Sequence, residues 1–268
     1  MRDDAPARLS TGPTRSFPMA RSILALMLRE MSTRYGRTPG GYVWAILEPL
    51  GAILVLALGF SLVLRSPSLG NSFILFYATG FLPFNIFNDI SNNVARSLKF
   101  SKGLLVYPSV TWIDALLARF VLNLLTGLLI SYLLLGGILM LSETRSVLQI
   151  GPIIEAMCLT ALLGLGVGSM NCVLGGLFPV WDNIWSIITR PLFLASGVFF
   201  IYDDMPPLAK EVLWYNPLIH ITGLMREGFY PMYAPGYISI AYVTLVSMAL
   251  LVLGLLLLGK HHKDIINA

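Results

Sequence analysis

The chain has 268 residues, of which 56% are hydrophobic and only 12% charged, with 18 Lys and Arg against 14 Asp and Glu. A soluble domain carries about 25% charged residues, so this composition and a mean hydropathy of +0.75 exclude a water-soluble domain and point to a membrane protein. The net charge of +4 calls for no nucleic acid, because basic segments beside membrane spans ordinarily meet anionic lipid.

Residues 1–16 are polar, contain Pro6, Pro13 and three arginines, and have no apolar core. They read as a disordered cytoplasmic N-terminus without a cleavable signal peptide. Residues 17–38 read as an amphipathic interface helix. Ile23, Leu24, Met27, Leu28, Met31 and Tyr35 recur at helical spacing, Arg21, Ala25, Arg29 and Ser32 take another face, and Glu30 precedes Arg34 by four residues, the favourable order for a helical ion pair.

Six apolar stretches follow, at about 42–64, 72–90, 112–141, 152–179, 184–202 and 237–259. A span takes roughly 20 apolar residues to cross ~30 Å of hydrocarbon. Such stretches are too long for the roughly 10-residue strands of an outer-membrane barrel. The expected fold is therefore all-α and integral to the membrane, with six transmembrane helices filling 42–260 and a cytoplasmic tail at 261–268. Pro83 predicts a kink in the second span. The glycines of 164–168, with Gly175 and Gly176, make the fourth span narrow enough for close helix packing.

An even number of spans puts both termini on one side. That side collects Arg2, Arg8, Arg15, Arg21, Arg29, Arg34, Arg37, Arg96, Lys99, Lys102, Arg190, Lys260 and Lys263, which is 13 cations; the other collects Arg65, Arg145, Lys210 and Arg226, which is 4. The excess of cations predicts cytoplasmic termini.

Two connections are longer than a plain link requires. Residues 91–108 begin with cap formers (Ser91, Asn92, Asn93) and mix basic with apolar side chains, which suits docking to a cytoplasmic partner. Residues 203–236 hold five prolines and two apolar runs, 208–214 and 218–230, each too short to span. Paired half-helices dipping into the outer leaflet fit them, since irregular backbone is tolerated there only under protein or water.

Catalytic signatures are missing. The segment from Gly254 to Lys260 imitates a phosphate loop but continues with His261 and lies in an apolar span, so ATP is not expected to bind this chain. Cys158 and Cys172 read as buried small residues, His220 as a hydrogen-bonded structural histidine, and no metal cluster is evident. Glu48, six residues into the first span, is expected to pair with Arg119 or Arg37. Asp89, Asp114 and Glu155 lie near span ends. Phe76, Tyr77, Phe81 and Phe84 can form an aromatic stripe on the second span, either as packing or as a smooth lining along which sugar rings slide.

The run Arg34-Tyr35-Gly36, followed by Gly41-Tyr42-Val43-Trp44-Ala45-Ile46-Leu47-Glu48-Pro49-Leu50, closely resembles the start of the first span in membrane subunits of ABC-2 type polysaccharide exporters. Leu28-Arg29-Glu30 fits as well, and Asn216-Pro217-Leu218, His220 and Arg226-Glu227-Gly228-Phe229-Tyr230 resemble that family's outer re-entrant segment. The similarity covers about residues 20–265 and is nearest the capsule-export, KpsM-like branch, ahead of O-antigen and teichoic-acid exporters.

The resemblance implies a non-enzymatic permease of the bacterial inner membrane that moves an acidic, lipid-terminated polysaccharide outward. It implies a second copy of the chain and two copies of a cytoplasmic ATPase that binds the ATP and Mg. A periplasmic co-polymerase-like adaptor and an outer-membrane exporter would complete the route. Arg96, Lys99, Phe100, Lys102, Leu104 and Leu105 would then dock the ATPase, and Arg29, Arg34, Tyr35 and Arg37 would flank the entrance. Tyr42, Trp44, Phe76, Tyr77, Phe81, Phe84, Trp185, Phe193 and Phe199 would line the conduit. Tyr202, Asn216, Pro217, His220 and Arg226 would form the outer gate. An ion-coupled secondary transporter would need an essential mid-membrane carboxylate or inverted repeats, and a membrane transferase would need clustered His or carboxylates. Neither pattern is apparent.

Overall fold

A computed structural model describes residues 18–35, 40–105, 110–141 and 147–267. All regular structure among them is helical: α1 (Pro18–Tyr35), α2 (Tyr42–Ser61), α3 (Phe73–Ala95), α4 (Ser97–Ser101), α5 (Trp112–Leu141), α6 (Ile150–Leu177), α7 (Trp181–Leu194), α8 (Pro207–Trp214), α9 (Pro217–Phe229) and α10 (Ile240–Asn267), with a 3-10 turn at Tyr202–Asp204. Five of these (α2, α3, α5, α6 and α10) are long and apolar enough to cross a membrane.

The expected fifth span differs. Its helix, α7, has 14 residues and ends at Leu194. At 1.5 Å per residue it is about 21 Å long, short of the ~30 Å core. Pro191 lies in its last turn, and residues 195–201 continue as turn and extended chain through Gly197, whose φ is +77°.

The core is built around α6, which packs along α10 and α3; α3 also meets α5 and α2, and α9 fits against α6 and α3. Glycines let these backbones approach. A Cβ on Gly164 would stand 3.0 Å from Ile90 and one on Gly168 2.7 Å from Val94, both on α3. On the other side a Cβ on Gly166 would meet the Ser247 carbonyl of α10 at 2.6 Å. The glycine run thus serves two helix interfaces at once, as its spacing suggested.

Other expectations need correction. Helix α3 continues to Ala95. Ser91, Asn92 and Asn93 are therefore interior residues, not caps. Their polar atoms bond back one turn, to Asn88 O, Asn88 Oδ1 and Asp89 O, which satisfies them inside a helix. Helix α10 runs on to Asn267, so the region expected as a tail is helical, and Ile265 is buried against Gly176. Arg119 pairs with Glu30 of α1 rather than with Glu48 (Nε to Oε2, 3.2 Å). Residues 1–16 and Arg37 lie outside the described residues, as do the side chains of Arg34, Tyr35 and Tyr42.

The Glu30–Arg119 pair and the stacking of Trp112 on His262 (5.8 Å between ring centroids) bring α1 and the end of α10 to the same end of α5. This end, which also carries α4, is the basic end. The chain leaves it after α6 and re-enters α10 from the opposite end, so residues 178–239 lead from one end of the bundle to the other.

Candidate functional site

A cleft of mixed polar and aromatic lining lies between α3 and α7 and has a volume of about 420 Å3. One wall is a stripe of α3 with a strict four-residue step: Phe84, Asn88, Asn92, Arg96. Residues so spaced stack on one helix face. The Asn92 amide donates to Asn88 Oδ1 at 2.9 Å. The facing wall is α7, which supplies Trp185, Ser186, Thr189, Arg190 and Phe193. Asn171 of α6 closes the floor, and its Oδ1 accepts the Trp181 indole N–H at 3.0 Å. No residue of α7 is buried, so this wall is held by few contacts.

Aromatic rings lead from the cleft toward the opposite end. Phe84 packs on Phe193 (4.8 Å), Phe193 on Phe199 (5.1 Å), Phe199 on Phe60 (5.8 Å), and Phe60 on Tyr77 (5.2 Å). Phe81 joins through an edge contact with Phe193 at 6.1 Å. Phe76 and Tyr77 are each 1% exposed and lie at the end of this series. Trp44, on α2, is exposed.

At the basic end, α4 is tied to two elements. Lys99 pairs with Asp182 at the start of α7 (3.2 Å), with both side chains 46% exposed. The Phe100 ring lies under two guanidiniums, Arg119 at 4.1 Å and Arg29 at 5.7 Å, a cation–π arrangement. Arg119 is buried; it also donates to the Asn93 carbonyl at 3.1 Å. A second, more open cleft of about 550 Å3 opens here and shares Arg96 and Asp182 with the first. Lys102 is exposed, and Leu104 and Leu105 are half-buried. On α1, Leu26 and Glu30 face the protein while Leu24 and Leu28 are exposed, the disposition of a helix with one face to the bundle and one to lipid.

Glu48 is exposed and borders a small polar cavity with Asn85, Asp89, Asn123 and Thr126. Asp114 caps the start of α5, accepting from the Thr111 backbone N–H and hydroxyl, both at 2.9 Å.

The opposite end is covered by α8 and α9. Eleven of the 13 residues of α9 are buried, so its polar side chains bond inward. Asn216 caps α9 by accepting from Leu218 N–H (3.1 Å) and donates to the Ala195 carbonyl (2.9 Å), joining α9 to the end of α7. His220 Nδ1 accepts from Ser239 N–H at 3.3 Å, which leaves Nε2–H to donate to the Trp214 carbonyl at 2.8 Å. Burial lowers the His220 pKa, against a smaller opposing effect of that carbonyl. This is the structural histidine expected from the sequence. Arg226, 2% exposed, donates to Phe200 O (2.7 Å) and Val198 O (3.0 Å) while its guanidinium lies 4.1 Å above the Phe76 ring. Gly80 makes room for it: a Cβ there would stand 3.1 Å from the guanidinium and 3.0 Å from Val198 Cα. Tyr202 stacks on Tyr237 at 4.0 Å.

The structure thus brings Phe81, Phe84, Trp185, Phe193 and Phe199 together, and gathers Asn216, His220 and Arg226 under one cap. Sequence reasoning missed Asn88, Asn171, Trp181, Asp182 and the role of Glu30. The four-residue polar step from Asn88 to Arg96 was visible, but cap formers after an apolar run also read as a new helix start. Asn171 was masked by the apolar glycine-rich span around it.

The ABC-2 type transporter family model matches residues 21–230. The chain is 31% identical over 247 residues to a polysialic acid transport protein, KpsM, of Escherichia coli, covering 92% of this chain and 96% of that one. It is 26% identical over 245 residues to the capsule polysaccharide export inner-membrane protein BexB of Haemophilus influenzae (91% and 92% covered). To the corresponding protein CtrC of Neisseria meningitidis it is 25% identical, with the same coverage. With its helices, its cleft and a match across most of its length, the chain belongs to the ABC-2 type transporter family.

Proposed function

We propose that this chain is the membrane subunit of an ATP-driven exporter that moves a capsule-type, acidic, lipid-terminated polysaccharide out of the cytoplasm across a bacterial inner membrane. The observation that carries the reading is the line of polar cleft and aromatic rings running from the basic end to the α8–α9 cap. Flat rings and fixed amides accommodate many sugar hydroxyls without holding any one tightly, which a polymer in transit requires. The KpsM, BexB and CtrC similarities, spread over nearly the whole chain, support the same cargo class.

The chain is not the ATPase. A second copy would cover the outward side of α7, none of whose residues is fully buried within one chain, and the apolar residues Val55 and Leu58 left exposed on α2. The conduit then runs between copies, lined by α2, α3 and α7. Helix α7 with residues 195–201 acts as the sixth crossing, and α8 and α9 re-enter the outer leaflet. Two ATPase subunits dock on α4 and the chain after it, while a periplasmic adaptor and an outer-membrane exporter receive the polymer.

The test is purification of the full chain from its native membrane in mild detergents, with mass spectrometry and an ATPase assay on the eluate. Co-purification of a soluble ATP-binding subunit, together with loss of surface polysaccharide in cells lacking this chain and its return on complementation, is the expected result. Recovery of the chain alone, with polysaccharide export unchanged by its deletion, refutes the reading.

A further inference from the structure

Two buried hydrogen-bond donors that line the α3–α7 cleft have no acceptor among the described residues: Asn171 Nδ2 and Trp185 Nε1. The Asn171 amide cannot turn to relieve this. Its oxygen faces the Trp181 indole, which can only donate, so the NH2 group must point elsewhere. Asn171 itself is 4% exposed. Buried donors are nearly always satisfied in folded proteins, and one left unmet costs about 1–3 kcal/mol. Two such groups on one cleft therefore mark a place where acceptors arrive from outside the chain.

The charge of the lining says what kind of acceptor. Arg96 and Arg190 both border the cleft, and its single carboxylate, Asp182, is already matched by Lys99. The lining is therefore donor-rich and net positive, with Ser186, Thr189 and the Asn88–Asn92 pair adding groups that both give and accept. A volume of about 420 Å3 falls within the ~300–1,000 Å3 of ordinary small-ligand sites. Guanidiniums match carboxylates by paired, charge-assisted hydrogen bonds.

We propose that this cleft is a binding subsite for one carboxylated sugar unit, with Asn171 and Trp185 as specificity-determining donors and Arg96 and Arg190 as the partners of the carboxylate. The assignment rests on the polysaccharide-export reading and extends it to particular residues. The sugar occupies the space between α3 and α7 and supplies the acceptors that the two donors lack. The cleft is already open to about 420 Å3, with Trp185 and Phe193 of α7 packed only partly against the core beside it. Each subsite holds one unit of the polymer, and the aromatic rings beyond it carry no such donors.

The test uses the full chain in lipid nanodiscs, titrated with short oligosialic and oligogalacturonic acids and with the same oligomers after reduction of their carboxylates to alcohols. Binding is read by microscale thermophoresis. The expected result is preference for at least one carboxylated oligomer over its reduced form. W185F, which keeps an aromatic ring but removes the N–H, weakens binding about tenfold. N171D keeps the acceptor for Trp181 but exchanges the free donor for an acceptor, and weakens it further. R96Q/R190Q abolishes the preference for the carboxylated form. W185F keeps an aromatic ring to pack partly against the core and should fold normally, so the test stands even if N171D misfolds. Wild-type affinity in W185F overturns the donor assignment, and equal binding of carboxylated and reduced oligomers overturns the charge assignment. Surface polysaccharide in deletion cells complemented with the wild-type chain separates the two levels. Restored export with wild-type binding by W185F sinks this subsite alone, whereas failure of the wild-type chain to restore export sinks the broader reading.

Discussion

Substituting Glu30 by Gln should loosen the junction of α1, α3, α4 and α5. Arg119 is buried where these elements meet, with Glu30 at 3.2 Å, the Asn93 carbonyl at 3.1 Å and the Phe100 ring at 4.1 Å. Removing one member of a buried ion pair typically costs 3–5 kcal/mol, because the surviving charge stays desolvated. Arg119 keeps its carbonyl and ring contacts, so the low end, about 3 kcal/mol, is expected. For a chain of this size about 1 kcal/mol corresponds to about 2–4 °C in melting temperature, so Glu30→Gln should lower the detergent-solubilised midpoint by about 6–12 °C. The assay is fluorescence-detected thermal unfolding of wild type, E30Q, R119M and E30Q/R119M. Removing both charges leaves no stranded cation, so the double variant should melt above E30Q alone. Strictly additive losses, or an E30Q midpoint within about 2 °C of wild type, would refute the reasoning.

At the exposed Lys99–Asp182 pair the expectation reverses: surface pairs are worth about 0–1 kcal/mol, so K99E/K102E should melt like wild type yet fail to support export in complemented cells, and normal surface polysaccharide would count against docking at α4. Gly80→Ala brings a Cβ to 3.0 Å from Val198 Cα and 3.1 Å from the Arg226 guanidinium; overpacking of this kind costs about 1–3 kcal/mol, visible as a lower midpoint that R226A relieves only in part, because the Val198 backbone contact remains. For the aromatic series the conservative change is the informative one: Phe84 is 7% exposed in the main core, so Phe84→Ala would cost about 3–5 kcal/mol through packing, whereas F81L/F84L should preserve abundance and slow polysaccharide appearance at the cell surface. Asn216→Ala removes a helix cap worth about 1 kcal/mol together with the link to Ala195, and a measurable fall in midpoint without loss of membrane insertion is expected.

What the sequence made legible follows from periodicity and length. The apolar runs that became α2, α3, α5, α6 and α10, the short helices α8 and α9 between prolines, and the structural role of His220 all rest on local pattern. The shortness of α7 has a physical cause. Residues 183–202 are apolar enough to span, but the helix stops at Leu194, just before Gly197 at φ +77°, and hydropathy cannot register where a hydrogen-bond ladder stops. Partner choice was also beyond reach. The expectation paired Arg119 or Arg37 with Glu48 and Glu30 with Arg34, and only the packing of α1 on α5 brings Glu30 to Arg119. The amides of Asn88 and Asn92 repeat a four-residue step that was there to be read, yet the same residue types start helices, and local sequence alone does not decide between the two uses.

The two ion pairs at α4 differ in a way that bears on motion. Glu30–Arg119 is buried and joins α4, through Phe100, to the interface helix and the bundle. Breaking it strands a charge, so this joint behaves as fixed. Lys99–Asp182 is half-exposed and joins the same short helix to the start of α7, where water takes over either charge at little cost. A displacement of α4 by a docked partner is therefore resisted on the α1 side and accommodated on the α7 side. Helix α7 forms one wall of the cleft, buries no residue, and is tied at its far end to the cap through Ala195 and Asn216. Cross-linking Cys substitutions at Lys99 and Asp182 should hold this joint closed and reduce export with the Glu30 contact intact, and full export after quantitative cross-linking would remove α7 as the element that moves.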